Sequence, residues 1–220
     1  RTTESLDKDV LRPVAEAFRT DGGLKLVKGN LGRAIVKVSA VDPSQQVIKA
    51  PAIVFRSQQD FVEQFNAGKL KRDFIAVLTH QGPQSNGMPE LHQLTPMLSA
   101  LQSQGFVVAL VTDGRMSGAS GKIPAAIHLS PEAQSGGAIA KIKSGDLIEL
   151  DCLSGRLNVI CEDDFENRPI DSTSPESNTQ FHQYGWGTEL FSGFRQQVSS
   201  AEEGATIFSL NNTSNHGNPS

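Results

Sequence analysis

Two glycine-rich segments contain most of the residues that could do chemistry, and each follows a run of apolar residues. The first, residues 79–90, combines Thr, His, Gln, Ser, Gly and Pro and ends at Glu90. The second, residues 112–122, contains three glycines, two serines and two cations. Hydroxyls and backbone N–H groups on such a loop can converge on an anion. In open α/β sheets, ligands bind beyond the carboxyl ends of strands, so both segments are candidate sites.

The second segment matches neither a phosphate-binding loop nor a serine-hydrolase turn. A phosphate-binding motif that used Lys122 would need glycine in place of Met116 and Ser or Thr in place of Ile123. A G-x-S-x-G motif around Ser117 would need glycine in place of Arg115. The sequence therefore does not indicate nucleoside triphosphate hydrolysis or serine-hydrolase chemistry, and Ser117 is either a turn residue or a reacting group.

The first segment also permits two interpretations. It is either a long strand-to-helix connection, with Glu90 near the positive end of the helix dipole, or a functional loop. Its length exceeds the 2–6 residues usual for such connections, which favours function. His80, His92 and His128 lie near the two segments and are candidate acid–base groups, although a histidine at a strand end is often only a hydrogen-bonded structural residue.

Composition excludes several classes of protein. The chain has 220 residues, of which 37% are apolar and 20% charged, which is enough for a real core. The net charge is −4 and the basic residues are scattered, so neither nucleic acid nor a membrane is expected as a partner. Cys152 and Cys161 have no metal-ligand spacing and are expected to be core residues in a cytoplasmic protein. The chain begins at Arg1 without a signal-like segment, and we expect it to be a piece of a longer polypeptide.

The apolar periodicity predicts the elements that position these loops. Two near-continuous apolar strands, 74–79 and 106–112, flank a predicted helix over 89–104, which indicates a parallel pair with a crossover. Shorter segments separated by turn residues favour a small mixed or antiparallel barrel. Further strands are predicted at 24–27, 34–41, 47–48, 52–55, 125–128, 138–142, 147–150 and 157–160, and further helices at 6–19, from Ser57 to Gly68, and at 188–201. The fold class is therefore α/β (mixed), a compact β-barrel-like domain with flanking helices.

Several short motifs between about residue 25 and residue 160 resemble those of the dihydroxyacid and 6-phosphogluconate dehydratase family, and they occur in the same order as in that family. The segments that carry the resemblance are 29–31 (G-N-L), 81–83 (Q-G-P), 86–92 (N-G-M-P-E-L-H), 112–120 (T-D-G-R-M-S-G-A-S), 130–133 (S-P-E-A) and 136–137 (G-G). The resemblance implies the C-terminal part of such an enzyme, with a barrel similar to the swivelling domain of aconitase-like dehydratases. We expect an N-terminal linker or helix from the preceding domain at 1–23, the β-barrel/α domain at 24–205 and a flexible tail at 206–220.

The resemblance also implies an activity and its cofactors. Family members are hydro-lyases. The tripeptide Gln81-Gly82-Pro83 resembles that of the 6-phosphogluconate branch, whose substrate is a sugar-acid phosphate of the Entner–Doudoroff route. An iron–sulfur cluster on cysteines of the N-terminal domain, a Mg²⁺ ion and a homodimer are expected, and the isolated C-terminal part is expected to be inactive. A dihydroxyacid or aldonic-acid dehydratase, or a non-catalytic ligand-binding module, remains an alternative.

Roles follow from the resemblance position by position. Ser117 matches the base that removes the C2 proton, and Glu90 matches a magnesium ligand. At position 81 this sequence has glutamine, where the dihydroxyacid enzymes of the family usually have an acidic residue. Lys122 is expected to contact the substrate phosphate, while Arg115 either contacts substrate or braces the loop through an ion pair. The predicted substrate-binding residues are Arg115, Gly118, Ala119, Ser120, Lys122 and Gln81.

Overall fold

The computed structural model describes residues 5–18, 22–116, 122–161, 164–170 and 190–208. Eight strands of this part of the chain form a closed barrel in the order β1-β2-β6-β5-β4-β3-β7-β8. They are β1 (Leu24–Gly29), β2 (Gly32–Lys37), β3 (Val47–Phe55), β4 (Phe74–Leu78), β5 (Val108–Thr112), β6 (Ala125–Ser130), β7 (Leu147–Asp151) and β8 (Arg156–Ile160). The mixed α/β fold and the barrel predicted from the sequence are confirmed.

Four neighbouring strands run parallel and end at the same end of the barrel. β3 pairs with β4, β4 with β5, and β5 with β6, all in parallel register. We call the end at which these four strands finish the upper rim, and the opposite end the lower rim. The segments that follow β4 and β5 are the two glycine-rich segments of the sequence, so parallel pairing brings both to the upper rim.

Two apolar cores explain why β4 and β5 are buried throughout. Ile75 and Val77 of β4 point into the barrel, where they join the cluster that fills it. Phe74, Ala76 and Leu78 point outward and pack in a second cluster beneath the helices. Since both faces of the strand are covered, every position is buried. The filled interior leaves the rims as the places for a site.

Helices α1 and α3 cover the outer face of the parallel strands. Ser57 begins α1 as predicted, because its Oγ accepts the backbone N–H of Asp60 at 3.1 Å. Pro96 lies in the first turn of α3, where an N–H has no intrahelical partner, so the helix begins later than predicted. The helices are α1 (Gln58–Asn66), α2 (Pro83–Asn86), α3 (Leu94–Ser103) and α4 (Ser192–Gln197).

Two predicted elements are wrong. Of the helix expected at 6–19, the described residues form only a 3₁₀ turn at Val14–Glu16, because Pro13 has no N–H to donate and the apolar side chains around it are exposed. The strand expected at 138–142 is a 3₁₀ turn, Ala138–Lys141, with Ile139 buried in the interior core. Since β6 already pairs with β5 and β2, the closed barrel has no free edge beside it for another strand.

Other differences concern boundaries. The two short strands predicted at 47–48 and 52–55 are one strand, β3, that continues through Pro51. β2 ends at Lys37, before the predicted residue 41. In the last predicted helix, only Ser192–Gln197 is α-helical among residues 190–201, and residues 188 and 189 lie outside the described residues. No helix in the described ranges has both the length and the apolar character needed to cross a membrane.

Candidate active site at the upper rim

A buried carboxylate connects the ends of three neighbouring strands. Asp113 directly follows β5 and is fully buried. Its Oδ1 accepts the backbone N–H of Gln81 at 2.8 Å, and its Oδ2 accepts those of His80 at 3.2 Å and Ala133 at 2.9 Å. His80 and Gln81 follow β4, and Ala133 follows β6. One side chain therefore fixes both glycine-rich segments and the loop after β6 in a common arrangement.

The environment of Asp113 opposes its ionisation despite these three donors. Burial, the largest cause, and the nearby Glu132 carboxylate raise its pKa to about 6, against the lowering effect of the three backbone N–H groups. Burial also raises the pKa of Glu132, and two backbone hydrogen bonds counter that effect. Two carboxylates thus lie close together under the rim, where desolvation disfavours the charged form of each.

Glu132 fixes the first glycine-rich segment from the other side. Its Oε1 accepts the backbone N–H of Gln84 at 3.0 Å and its Oε2 that of Ser85 at 3.3 Å, at the start of α2. A Cβ on Gly82 would lie 2.0 Å from Glu132 Oε2, so only glycine permits this close approach.

Glu90 and Arg115 bring the two glycine-rich segments into direct contact. The two residues form a parallel β-bridge, and the Leu91 N–H donates to the Arg115 carbonyl at 3.2 Å. Arg115 Nη1 lies 3.6 Å from Glu90 Oε2, and Arg115 Nε donates to the Met88 carbonyl at 2.6 Å. Arg115 therefore braces the first segment through an ion pair and a backbone contact, which is one of its two expected roles.

The second oxygen of Glu90 has no partner among the described residues. Oε1 is buried and accepts no hydrogen bond within the described part of the chain. An unsatisfied buried carboxylate oxygen is costly unless something else binds it, and carboxylate oxygens are ligands that Mg²⁺ prefers. The residue thus fits one ligand of a magnesium ion. No three His, Cys, Asp or Glu side chains of the described ranges are grouped closely enough to hold a metal, so further ligands would come from elsewhere.

The cysteines do not fit an iron–sulfur cluster. Cys152 is fully buried at the lower end of β7, and burial together with Asp151 raises its pKa to about 11. Cluster ligation requires thiolates, which this environment disfavours. Cys161 is half-buried against the interior core, and neither residue forms a disulfide. Their predicted role as core residues is confirmed.

Gln81 and the three histidines occupy different surroundings. The buried Gln81 amide donates to the Thr79 carbonyl at 3.2 Å and accepts from Asn86 at 3.1 Å, so it is used within its own segment. His80 is buried, His92 is exposed, and His128 is half-buried. Burial, and then the positive Arg115, lower the pKa of His128, which favours its neutral form at the rim.

Lys122 lies at the other end of the barrel. It shares a groove with Asp42 and Gln45, which follow the lower end of β2, and with Gln102 near the end of α3. The structure therefore does not bring Lys122 together with Glu90 or Arg115. Ser117, Gly118, Ala119 and Ser120 lie outside the described residues.

Comparison with known proteins identifies the family. The family model described as "Dihydroxy-acid/6-phosphogluconate dehydratase C-terminal" matches residues 9–205. The chain belongs to this family. A phosphogluconate dehydratase of Helicobacter pylori is 56% identical over 208 residues, 94% of this chain and 34% of the relative. One from Pseudomonas aeruginosa is 51% identical over 205 residues, 93% of this chain and 33% of the relative.

A second branch of the family is less similar. A dihydroxy-acid dehydratase of Halothermothrix orenii is 37% identical over 207 residues, 92% of this chain and 36% of the relative. The chain thus spans about a third of the length of the curated relatives that it matches.

Two residues of this dehydratase C-terminal domain were missed as site residues by sequence reasoning. Asp113 and Glu132 both stand in the segments that carry the family resemblance, but neither was singled out. The only local signal for Asp113 is a carboxylate directly after a fully apolar strand and directly before Gly114. Its role is visible only when the three strand ends are placed side by side.

Proposed function

We propose that this chain is the C-terminal part of an enzyme that dehydrates 6-phosphogluconate to 2-keto-3-deoxy-6-phosphogluconate. The curated phosphogluconate dehydratases from Helicobacter pylori and Pseudomonas aeruginosa share 56% and 51% identity with it, whereas the dihydroxy-acid dehydratase shares 37%. This difference in sequence identity favours a sugar-acid phosphate, rather than a branched-chain dihydroxy acid, as the substrate. The catalytic unit is the longer polypeptide, to which this chain contributes the upper rim.

The contacts of Glu90 are the observation that supports a specific chemistry for this site. Glu90 has one oxygen near Arg115, and its other oxygen is buried with no partner among the described residues. Glu90 also forms a β-bridge with Arg115, which stands two positions before Ser117 in the chain. This arrangement supports a magnesium site in which Glu90 is one ligand. A Mg²⁺ ion held there in part by Glu90 would supply positive charge next to the substrate carboxylate, where negative charge builds up as the C2–H bond breaks.

The reaction removes one water from two adjacent carbons. A proton leaves C2, the hydroxyl leaves C3, and the electrons of the C2–H bond form the C2–C3 double bond. The resulting enol tautomerises to the 2-keto acid. Ser117 is the proposed base at C2, and a serine hydroxyl can act as one only after losing its own proton in a strongly positive surrounding.

Arg115 contributes positive charge near Ser117. Arg115 and Ser117 both come after β5 in the chain. The ion pair of Arg115 with Glu90 and its hydrogen bond to the Met88 carbonyl hold the guanidinium at the upper rim. The expected iron–sulfur cluster remains a proposal for the rest of the polypeptide, and no step here depends on it.

The test is substrate selectivity of the full-length polypeptide. We expect kcat/KM for 6-phosphogluconate to exceed that for gluconate and for 2,3-dihydroxyisovalerate by at least about 100-fold. Ser117→Ala should abolish turnover, whereas Ser103→Ala, at the exposed end of α3, should not. A preference for the dihydroxy acid or for gluconate would establish an alternative dehydratase, and binding without any turnover would support a ligand-binding module.

A further inference from the structure

A cavity opens at the upper rim beside the candidate active site, and cations line it. Its volume is about 280 Å³. Arg56 follows β3, and Lys143 and Ser144 stand in the turn before β7. The remaining lining residues are Thr79 and His80, which follow β4, and the apolar Val54, Ala140 and Ile142. The volume is near the lower end for ligand pockets, which suits one end of a small molecule.

Two cationic side chains of this cavity form no ion pair with any other described residue. Within the described ranges, neither the Arg56 nor the Lys143 side chain has a carboxylate within ion-pair distance. Two carboxylates bond to the backbone of these residues instead of their side chains: Asp60 accepts the N–H of Arg56 at 3.3 Å, and Asp146 accepts that of Lys143 at 2.7 Å and pairs with Arg168. Two cations and two hydroxyls around one concave space are the donors that a phosphate monoester requires.

The backbone around the cavity is held by specific hydrogen bonds. Val54 donates its N–H to Ser144 Oγ at 2.9 Å, and Gly145 donates to the Ala52 carbonyl at 2.8 Å. The turn that carries Lys143 is therefore attached to β3 just below Arg56. On the other side, His80 Nδ1 lies 3.0 Å from Thr79 Oγ1. The donors project from a preformed wall, which reduces the entropy lost on binding.

The same wall is bonded directly to the candidate active site. His80 donates its N–H to Asp113 Oδ2 at 3.2 Å, and Asp113 is two positions before Arg115. Along the rim, Arg115 follows β5, His80 follows β4 and Arg56 follows β3. Adjacent strands are about 4.8 Å apart, so Arg56 and Arg115 leave the rim about 10 Å from each other.

This separation matches the length of the proposed substrate. Seven bonds join the carboxylate carbon of 6-phosphogluconate to its phosphorus. At the roughly 1.2 Å per bond of an extended chain, they span about 8–9 Å. With the carboxylate end beside Glu90 and Arg115, the phosphate would reach the cavity after β3.

We propose that this cavity binds the distal phosphate of the sugar acid, with Arg56 and Lys143 as its cationic contacts and Thr79 and Ser144 as hydroxyl donors. The inference rests on the proposed function. It assigns the phosphate to the upper rim rather than to Lys122, which lies in the lower-rim groove.

The experiment uses full-length enzyme carrying Arg56→Ala, Lys143→Ala or both. Charge-assisted hydrogen bonds contribute about 1.5–3 kcal/mol each, so each single change should lower kcat/KM for 6-phosphogluconate about 10- to 100-fold. The loss should appear mainly in KM, and kcat/KM for gluconate should stay within about twofold. Arg56→Lys should restore part of the lost affinity. Lys71→Ala, in the exposed loop that leads to the lower end of β4, is the matched control for removing a cation.

Inorganic phosphate provides a second measurement that does not require turnover. It should compete with 6-phosphogluconate in the wild type and bind at least about tenfold more weakly to the double variant. Arg56→Gln, which keeps the length of the side chain, serves if Arg56→Ala is poorly folded. Unchanged phosphate preference and phosphate affinity in the double variant would overturn the inference, as would a loss of preference caused by Lys122→Ala alone.

The outcomes also separate this inference from the proposed function. A wild-type enzyme that dehydrates 6-phosphogluconate selectively, with the double variant unaffected, refutes only the phosphate site. A wild-type enzyme with no preference for the phosphorylated substrate refutes the proposed function, and phosphate binding by the cavity is then decided by the competition measurement.

Discussion

The Asp113 carboxylate accepts the backbone N–H of Gln81 at 2.8 Å, although the two residues belong to different loops and both are buried. With its bonds to His80 and Ala133, this contact makes Asp113 the common acceptor for three strand ends. Asp113 therefore fixes the position of the proposed phosphate-binding cavity relative to the Glu90–Arg115 pair. It is a positioning residue and contacts neither proposed ligand group directly.

Stability should depend on pH through Asp113. Its pKa is about 6 in the folded chain, above its unfolded value of 3.8, so the folded state binds more protons between these values. The contribution of this group to the free energy of unfolding is therefore fully present below about pH 4 and is lost as the pH rises through about 6. Urea unfolding from pH 4 to pH 7.5 should show the advantage of the wild type over Asp113→Asn shrinking across this interval.

The same variant should be less stable than the wild type at every pH. An asparagine offers one acceptor oxygen and places an NH₂ group toward a backbone donor, so at least one buried N–H loses its partner at about 1–3 kcal/mol. Asp9→Asn, at an exposed position, is the control. A constant difference between Asp113→Asn and the wild type across the pH range would show that Asp113 does not titrate as described.

Gly82→Ala should destabilise the first glycine-rich segment. The added methyl group would lie 2.0 Å from Glu132 Oε2 and 2.8 Å from Glu132 Cβ, so both the side chain and its two backbone hydrogen bonds must shift. Overpacking of this kind costs about 1–3 kcal/mol, measurable by urea unfolding.

Gly193→Ala is the matched control for this change. Gly193 lies in α4, and a Cβ there meets no atom within 4 Å, so alanine should be neutral or slightly stabilising. Equal effects of the two substitutions would contradict a specific steric role for Gly82.

Glu90→Gln should weaken magnesium binding by the full-length enzyme. The amide keeps the shape of the side chain but replaces a charged oxygen ligand by a neutral one, so the half-saturating Mg²⁺ concentration should rise at least about tenfold. Calorimetric titration with Mg²⁺ measures this directly. Glu63→Gln, on the exposed side of α1, should leave the titration unchanged, and an unchanged titration for Glu90→Gln would remove Glu90 from the metal site.

Cys152 should resist alkylation until the chain unfolds. With a pKa of about 11, roughly one thiol in ten thousand is ionised at pH 7, and the side chain is fully buried. Iodoacetamide labelling followed by mass spectrometry should give at least about 100-fold slower modification of Cys152 in the native chain than in urea. Similar rates in both conditions would mean that this part of the barrel opens readily.

Local patterns in the sequence were sufficient where a segment's burial decides its structure. The apolar runs of β4 and β5 identify strands covered on both faces, and Ser57 with Asp60 identifies the start of α1. The same reasoning was wrong for residues 6–19 and 138–142. Apolar spacing there is compatible with a helix or a strand, but Pro13 and the lack of a free edge beside β6 prevent these structures.

The family resemblance, carried by short motifs, correctly identified the family. It also gave Glu90 and Arg115 as expected site residues, and the structure places these two in contact. It did not indicate that Arg56 and Lys143 line one cavity, or that Lys122 lies at the opposite rim. These residues are far apart in the chain, and nothing in their local spacing reports which strands are neighbours.

The amino-acid sequence by itself determined the location of most strands, the order of the two glycine-rich segments and the family, because each depends on residues close together in the chain. Only the tertiary structure decided which side chains share a site. The barrel order places β3, β4, β5 and β6 side by side, and this non-local pairing sets the distances among Asp113, Glu90 and Arg56. A hydrogen bond or a charge acts over a few ångströms of space, whatever the number of residues between its partners.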